Sequence, residues 1–235
     1  MSDSFVFGGI DSNNYGVLLL SDVMEGTEYD YTSISVPGRT GDLHRGNNRY
    51  KNTKRELIVF AGEQAEQRLS ALNESLLALT GYQRLQTSSH PDWYTQGQYT
   101  GGMMPRQNPG FTVGRASLNF DCKPQKWLVS GENTISVADG DTITNPTLYP
   151  SKPLLMVTGR GTLTIGRYSI EVLEDVTDMA IDCDMEKAYS TETAENYNDK
   201  IRVYLNDFLL IQPGENEVTL SSGMTLSVVP RWWTL

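Results

Sequence analysis

Histidine is the side chain best suited to acid–base chemistry at neutral pH, and this chain has two, His44 and His90. His44 lies in a polar turn, and His90 precedes a proline in a loop. A hydrolase also needs a nucleophile beside such a base, but the sequence has no Gly-x-Ser-x-Gly motif and no plausible cysteine–histidine pairing. We therefore expect no catalytic residues and no enzyme activity.

Three carboxylates, Asp182, Asp184 and Glu186, alternate along one apparent strand. On a strand their side chains would share one face, where calcium binding is conceivable. The spacing lacks the glycine and the later glutamate of an EF-hand loop, so a solvated acidic face is favoured. We predict no metal site.

Glycine and cysteine provide no cofactor motif either. The glycine-rich segment 158–162 separates two apolar runs and is interpreted as a hairpin turn, not as a phosphate-binding loop. Cys122 and Cys183 lie far apart, each within an apparent strand and without a Cys-x-x-Cys motif. We expect free, buried thiols and no cofactor.

Exposed aromatic rings on a β domain could stack on sugars. The tyrosines available in the second half are Tyr168, Tyr189, Tyr197 and Tyr204. Tryptophan occurs there only as Trp232-Trp233 near the end, and such a pair more often docks into an apolar groove. The candidate groove for these last residues is on the first domain.

A turn at residues 36–43, Val-Pro-Gly-Arg-Thr-Gly-Asp-Leu, holds one arginine between two glycines. Proline fixes φ and the glycines can take positive φ, so the chain can reverse sharply with Arg39 and Asp42 pointing outward. Arg39 either braces its own turn or pairs with a carboxylate of a neighbouring subunit. Arg39, Asp42 and the nearby Arg49 are therefore candidate subunit-interface residues.

The chain has 235 residues, 38% of them hydrophobic and 20% charged, enough for one large or two ordinary globular domains. Residues 1–130 hold 12 Lys and Arg against 13 Asp and Glu, whereas residues 131–235 hold 7 against 16. The acidic half suits solvent and disfavours binding to phosphate backbones, while the near-neutral half suits protein neighbours. We find neither a signal peptide pattern nor a membrane-spanning apolar run, and expect a protein made in the cytoplasm without membrane insertion.

Most of the sequence alternates short apolar runs with Gly, Pro, Asn and Asp, which is typical of antiparallel β domains. The strands predicted in the first half cover residues 4–10, 15–21, 27–36, 49–60, 82–86, 93–99 and 111–122. Those predicted in the second half cover residues 133–137, 154–158, 162–165, 168–172, 179–184, 200–205, 208–211, 216–220 and 224–229. A shift in composition predicts two domains, 1–129 and 130–235.

One segment has helical periodicity. Between residues 63 and 80, apolar side chains recur at alternating spacings of four and three, with Gly62 as a candidate N-cap and Gly81 as a candidate residue just past the C-cap. The sequence therefore predicts a mainly β protein whose first domain is α+β, with this one amphipathic helix packed on its own sheet.

A long loop at residues 100–110 carries Met103, Met104 and Arg106. It is either an ordinary surface loop or one that packs on a neighbouring subunit, because flexible methionine suits adaptable contacts. These three residues complete the set of candidate interface residues.

The order of several short motifs along the chain carries a family resemblance. Around the turn at residues 36–43 these are Phe5-Val6-Phe7-Gly8-Gly9-Ile10, Tyr15-Gly16-Val17, Arg49-Tyr50-Lys51-Asn52, Tyr82-Gln83-Arg84-Leu85, His90-Pro91-Asp92-Trp93-Tyr94 and Phe120-Asp121-Cys122-Lys123-Pro124. The second half adds Ser151-Lys152-Pro153-Leu154, Gly159-x-Gly161 and Pro213-Gly214-x-Asn216. This order resembles the distal tail proteins of siphophages, the bacteriophages with long, non-contractile tails, in their compact form.

The resemblance implies a structural virion protein of the tail tip, assembled in the host cytoplasm as a six-fold ring, with a galectin-like β-sandwich as the second domain. Its implied partners are the tail tube protein, the tail-tip protein and receptor-binding or baseplate proteins. DNA would pass through the central channel without specific contact. The alternative is a carbohydrate-binding adhesin whose second domain contacts the host cell wall.

Overall fold

The computed structural model describes residues 3–102, 114–204 and 208–235, and only the backbone of residues 106–107. These residues form a mainly antiparallel β fold with one α-helix, which confirms the predicted class. The chain divides into two compact units, Met1–Lys126 with Leu235, and Trp127–Thr234. In the described part of the chain, no helix has the length and apolar character needed to cross a bilayer.

The first unit contains the helix α1, Ala65–Leu77, and a short 3-10 helix, Ser12–Tyr15. The strands that begin in it are β1 (Phe5–Phe7), β2 (Ile10–Asp11), β3 (Val17–Met24), β4 (Tyr29–Ile34), β5 (Leu43–Tyr50), β6 (Thr53–Ala61), β7 (Gln83–Thr87), β8 (Trp93–Gly101), β9 (Arg106–Gln107) and β10 (Gly114–Leu128). Seven of them form a sheet in the order β2-β1-β7-β8-β10-β6-β3, with β9 beside the start of β10. The strand β3 is therefore an edge strand.

The core of the first unit is built from one face of this sheet and the apolar stripe of α1. Every second residue of β6 from Thr53 to Ala61 is buried, as alternation on a strand requires. The helix contributes Leu69, Leu72 and Leu76 to the same core. Each fully buried leucine stabilises the unit by about 1.5–3 kcal/mol.

The helix is shorter than the predicted range 63–80. Gln64, with φ of 59°, occupies the N-cap position that Gly62 was expected to hold. The helix ends before Ala78, and Gly81 lies beyond it in a later turn with φ of 71°. The reason is that the buried stripe stops at Leu76, so the last predicted turn has no fully buried side chain.

The second unit is almost entirely β. It contains β11 (Ile135–Val137), β12 (Thr142–Asn145), β13 (Leu154–Ile165), β14 (Tyr168–Asp182), β15 (Lys187–Ser190), β16 (Ile201–Val203), β17 (Gly214–Leu220), β18 (Thr225–Val229) and β19 (Trp233–Thr234), with short 3-10 helices at Val129–Glu132 and Asn198–Lys200. The main path is β11-β18-β13-β14-β15, while β17 pairs with both β12 and β13, and β16 pairs with β14. One apolar core runs under these strands.

The glycine-rich segment 158–162 is not the hairpin turn that the sequence predicted. The strand β13 continues through it, and the chain turns after Ile165 instead. Register shifts against β14 flank Gly159, and both Gly159 and Gly161 have positive φ, as in β-bulges. A Cβ on Gly161 would lie 2.4 Å from that of Ser221. The close approach of Ser221, which follows β17, therefore also requires glycine at this position.

The terminal tryptophan pair has its described contacts in the second unit. Trp232 belongs to the core of that unit. Docking of the last residues on the first domain stays a prediction. Trp233 stacks on Tyr149 with ring centroids 4.5 Å apart and donates a hydrogen bond to the carbonyl of Pro150. Both tryptophans therefore have partners within the second unit.

The two cysteines are free and buried, as predicted. Burial raises the pKa of the Cys122 thiol to about 11 and that of Cys183 to about 12. Because the thiolate is the reactive form, both are expected to be inert in the folded protein.

Candidate assembly surface

The hairpin formed by β4 and β5 is the most exposed ordered element of the first unit. Among the described residues these two strands pair only with each other. Every residue in them except Asp30 is exposed. The connecting turn has positive φ at Gly38 and Gly41, which confirms the expected sharp reversals. An isolated two-stranded hairpin is marginally stable in water, so this one requires support from elsewhere.

The hairpin is an extension of the β3–β6 pair. The amide of Glu25 donates to the carbonyl of Lys54, and the amide of Lys51 donates to the carbonyl of Glu28, each at 2.9 Å. The two strands of the hairpin thus continue directly from β3 and into β6. At about 3.3 Å per residue the hairpin projects roughly 20–25 Å from the end of the sheet.

One face of the hairpin is aromatic. Tyr29 lies opposite Tyr50 with the rings edge to face at 5.5 Å, and Tyr31 contacts the His44 ring in the same way at 4.6 Å. The three tyrosines are between 37% and 50% exposed. Ser33, opposite His44, extends this surface, which we call the aromatic face.

The opposite face carries Thr32, Ile34, Leu43 and Arg45, from two further cross-strand pairs. Ile34 and Leu43 are both exposed. Apolar and aromatic side chains that are exposed on both faces of a projecting element are unusual in a monomer and typical of a binding surface.

The candidate interface residues of this region differ in their surroundings. Within the described residues, the Arg39 guanidinium has no hydrogen-bond or ion-pair partner, although its backbone amide donates to the Val36 carbonyl. Asp42 accepts a hydrogen bond from Ser33 Oγ at 2.7 Å. Arg49 is paired with Asp30 at 2.6 Å, and its hydrogen bond lowers the pKa of Asp30. Of these three candidates, Arg39 is therefore the one whose charged group has no partner among the described residues.

The side chains of the other three candidates lie outside the described part of the chain. Met103 and Met104 lie outside the described residues. Arg106 is described by its backbone alone, in the short strand beside Arg115 of β10. Their role in subunit contacts stays a prediction.

A second exposed surface lies on the outer face of the edge strand β3. Leu18, Leu20 and Val23 are between 39% and 52% exposed, on the side of the sheet opposite the core. Ile58 and Phe60 of β6, which pair with Ser21 and Leu18, are half-buried beside them. We call the row of Leu18, Leu20 and Val23 the apolar strip.

A buried polar cluster lies where the hairpin leaves the sheet. Arg55 of β6 donates to both carboxylate oxygens of Asp22 of β3, at 2.8 and 2.6 Å. It also donates to Thr95 and Thr87, and it lies 5.0 Å from the centroid of the Trp93 ring. Its side chain is 0% exposed, so the pair is satisfied entirely by protein groups.

Burial would raise the pKa of Asp22, but the hydrogen bonds and charge of Arg55 outweigh this effect and lower it. The pair therefore stays ionised and ties β3 to β6 at the base of the hairpin. This cluster was not predicted from the sequence. The available signal was Arg55 at an inward position of an alternating strand, in phase with Leu57 and Val59.

The acidic row of the second unit does not form one face. The strand β14 ends at Asp182, and Asp184 and Glu186 lie in the turn that follows. Asp182 is buried and accepts two hydrogen bonds from Arg231 at 2.8 Å. Burial would raise the pKa of Asp182, but Arg231 and two backbone amides lower it. Among the described residues, no three His, Cys, Asp or Glu side chains are placed to hold a metal ion.

The tyrosines considered for sugar stacking are mostly not available. Tyr168 and Tyr197 are buried in the core of the second unit. Tyr189 is half-buried, and Tyr204 is exposed but donates a hydrogen bond to Glu171. No aromatic platform formed by these four residues exists in the described structure.

The comparisons with known proteins agree with this architecture. Protein-family models gave no match, and neither did a search of curated proteins. Solved structures do match, and they show that the chain shares its fold with phage hub and baseplate proteins. The crystal structure of the SPP1 Dit protein (gp 19.1), a paradigm of the hub adsorption apparatus in phages that infect Gram-positive bacteria, aligns over 100% of both chains, with a TM-score of 0.72 and 13% identity.

Two further matches are chains of the phage P2 baseplate in its activated conformation, with Ca and with Sr. Each alignment covers 97% of both chains with a TM-score of 0.51, at 9% and 10% identity. At these identities the likeness establishes the fold.

Proposed function

We propose that this chain is a structural protein of a phage tail tip, a hub that joins the tail tube to the tail-tip protein and to receptor-binding or baseplate proteins. The observation that carries the proposal is the likeness to the SPP1 hub protein over the full length of both chains. A partial match would support only a shared domain. The likeness to two chains of the P2 baseplate supports the same class.

A hub of this kind acts by holding its partner proteins in position and not by catalytic turnover. We propose a six-fold ring of this chain with a central channel, in which the first unit makes the ring and the second, a galectin-like sandwich, faces outward. The exposed hairpin supports self-association, because it displays apolar and aromatic surface that one copy leaves in solvent. DNA would pass the channel without specific contact, and the protein would reside in the virion.

The proposal assigns no catalytic residue, cofactor, metal or membrane insertion to the chain. The alternative of a carbohydrate-binding adhesin has less support, since Tyr168 and Tyr197 are core residues. Glycan-array binding by the purified protein would restore it.

The direct test is negative-stain electron microscopy of the purified protein, alone and mixed with the tail tube protein of the same phage. The proposal predicts six-fold rings with a central hole that bind the end of the tube. Particles without rotational symmetry in both samples would contradict it.

A further inference from the structure

Two strands of the second unit, β11 and β12, each have one open edge. Among the residues that the structure describes, β11 pairs only with β18 and β12 pairs only with β17. Alternate N–H and C=O groups of each strand therefore point away from its partner strand. We infer that an extended, basic segment of a partner protein adds as a strand to the open edge of β12, in the cleft between β12 and β11. The inference rests on the proposed hub function and names one surface that holds a partner.

The cleft has an apolar floor between the two strands. Its volume is about 220 Å³, and it is lined by residues of both strands and by Trp232. The lining residues Val137, Ile143 and Trp232 are buried, whereas Thr142 and Thr144 are exposed. An added strand can therefore pair its backbone with β12 and place an apolar side chain on the floor, as in other cases of strand addition.

The turn that joins β11 to β12 is fixed to β17. The amide of Gly140 donates to the carbonyl of Val218 at 2.9 Å, and the amide of Val218 donates to the carbonyl of Asp141 at 2.8 Å. The amide of Leu220 donates to a carboxylate oxygen of Asp139 at 2.8 Å. Because these hydrogen bonds already hold the turn in the single chain, the cleft is preformed and binding mainly costs the freedom of the partner segment.

The opposite edge of the same sheet is covered by the chain itself. Beside β15, the amide of Ser190 donates to the carbonyl of Glu195 at 2.9 Å, and the amide of Tyr197 donates to the carbonyl of Ala188 at 2.8 Å. Proteins also block open edges with lysine or proline, but neither residue type occurs in β11 or β12. One edge of the sheet is thus protected, and the other is left ready to receive a strand.

The charge around the cleft favours a basic segment. Residues 131–145 and 214–229, which contain β11, β12, β17 and β18, hold five Asp and Glu and no Lys or Arg. Glu215 and Glu217 lie beside β12 on β17, and neither has an ion-pair partner within the described part of the chain. Lysine or arginine at alternate positions of the added strand would share the face of these carboxylates. An acidic segment would be repelled.

The test presents peptides to the purified full-length protein. Overlapping labelled peptides cover the tail-tip and receptor-binding proteins of the same phage, and a second set covers this chain. Fluorescence anisotropy ranks their affinities. We expect the tightest peptides to come from a partner protein, to be basic, and to alternate apolar with polar residues.

Two variants place a positive charge on the open edge. Thr142→Lys and Thr144→Lys each block strand addition and repel a basic segment, so the selected peptides should bind at least about tenfold more weakly. Both threonines are exposed, so the melting temperature should stay close to that of the wild type. Thr193→Lys, in the exposed turn after β15, makes the same change of charge away from the cleft. This matched control should bind the peptides as the wild type does.

Strand addition also predicts a backbone signal. Hydrogen exchange of amides in residues 142–145 should slow when a selected peptide binds, because the outward amides gain carbonyl partners. Exchange in β15 should stay unchanged. A contact made by side chains alone would leave the exchange of β12 unchanged as well, and would contradict the inference.

Other outcomes would also overturn the inference. These are a peptide set without binders, tightest peptides that are neutral or acidic, and equal binding by the wild type and both edge variants. Binding confined to peptides of this chain would make the occupant a second copy instead of a partner. In all these cases, six-fold rings that bind the tail tube would leave the proposed function standing. A protein that forms no rings and binds no tail protein would remove the proposed function itself.

Discussion

Two arginine–aspartate pairs, one in the sheet of the first unit and one on its hairpin, differ in how strongly they hold neighbouring strands together. Arg55 and Asp22 lie inside the sheet, and Arg49 and Asp30 lie on the hairpin that extends from it. The closest nitrogen–oxygen distance is 2.6 Å in both pairs. The arginine side chain is 0% exposed in the first and 75% exposed in the second.

The first unit therefore has one end whose charged groups are buried and paired, and another whose charged groups stay in solvent. At the base of the hairpin every polar group of the buried pair has a protein partner. Beyond it, the exposed pair competes with water and holds the two strands only weakly. The sheet is complete within one copy, whereas the hairpin leaves its side chains in solvent.

The largest expected effect is on the buried pair. Arg55→Ala leaves Asp22 buried without its counter-charge, so the first unit should lose about 3–5 kcal/mol of unfolding free energy. Urea unfolding followed by tryptophan fluorescence measures this, since Trp93 lies beside Arg55. The double variant Arg55→Met with Asp22→Leu should lose less, because neither charge is then left unpaired. Equal losses in the single and double variants would contradict this account.

The second effect is a pH dependence that belongs to the buried end. The folded-state pKa of Asp22 is below its ordinary value of 3.8, so its stabilising contribution is complete above that pH and is lost as the pH falls through the folded value. Asp182 adds a contribution of the same sign in the second unit. Urea midpoints of the wild type should therefore fall between about pH 5 and pH 2.

Two variants sharpen this pH comparison. Asp22→Asn should flatten the acid dependence of the first unit. Asp30→Asn should leave it almost unchanged, because the pKa of Asp30 is lowered in an exposed pair that water screens. A larger effect from Asp30 than from Asp22 would mean that the hairpin, and not the base, holds the unit.

The third effect concerns assembly. Arg39→Ala should weaken self-association by about tenfold, equivalent to about 1.4 kcal/mol, and leave the melting temperature almost unchanged. The reason is that the guanidinium has no hydrogen-bond or ion-pair partner among the described residues of its own copy. Analytical ultracentrifugation and calorimetry on the same samples separate the two quantities. A parallel loss of association and melting temperature would show that Arg39 only braces its turn.

The smallest effect is expected for the exposed pair itself. Arg49→Ala should give no measurable change in the urea midpoint of the first unit. It should nevertheless speed hydrogen exchange of the β4 amides, since the hairpin has few other contacts to hold it. Unchanged exchange would indicate that the aromatic pairs alone order the hairpin.

Much of the fold could be predicted from the sequence. Apolar alternation located most strands of both units, and the spacing of Leu69, Leu72 and Leu76 located the helix and its buried side. The predicted ends of the helix were wrong, because Gly62 and Gly81 do not occupy the capping positions expected of them. Long strands were also split, since bulges such as those around Gly159 look like turns in a sequence.

The candidate surface was only partly predictable. The turn with Arg39 was found because glycine and proline mark reversals. The strand β5, Leu43–Tyr50, has no apolar alternation because neither of its faces meets a core of its own copy. Arg55 was missed since a charged residue inside a strand is usually on the wet face, and only its pairing with Asp22 explains its burial.

The most direct test of the proposed ring is the solution mass of the wild-type protein by light scattering across a concentration series, beside Tyr31→Glu, which places a charge on the aromatic face of the hairpin. We predict a mass near six times 26.2 kDa for the wild type, and a single copy for Tyr31→Glu. A wild-type mass of 26.2 kDa at every concentration, or a Tyr31→Glu variant as large as the wild type, would contradict the proposal.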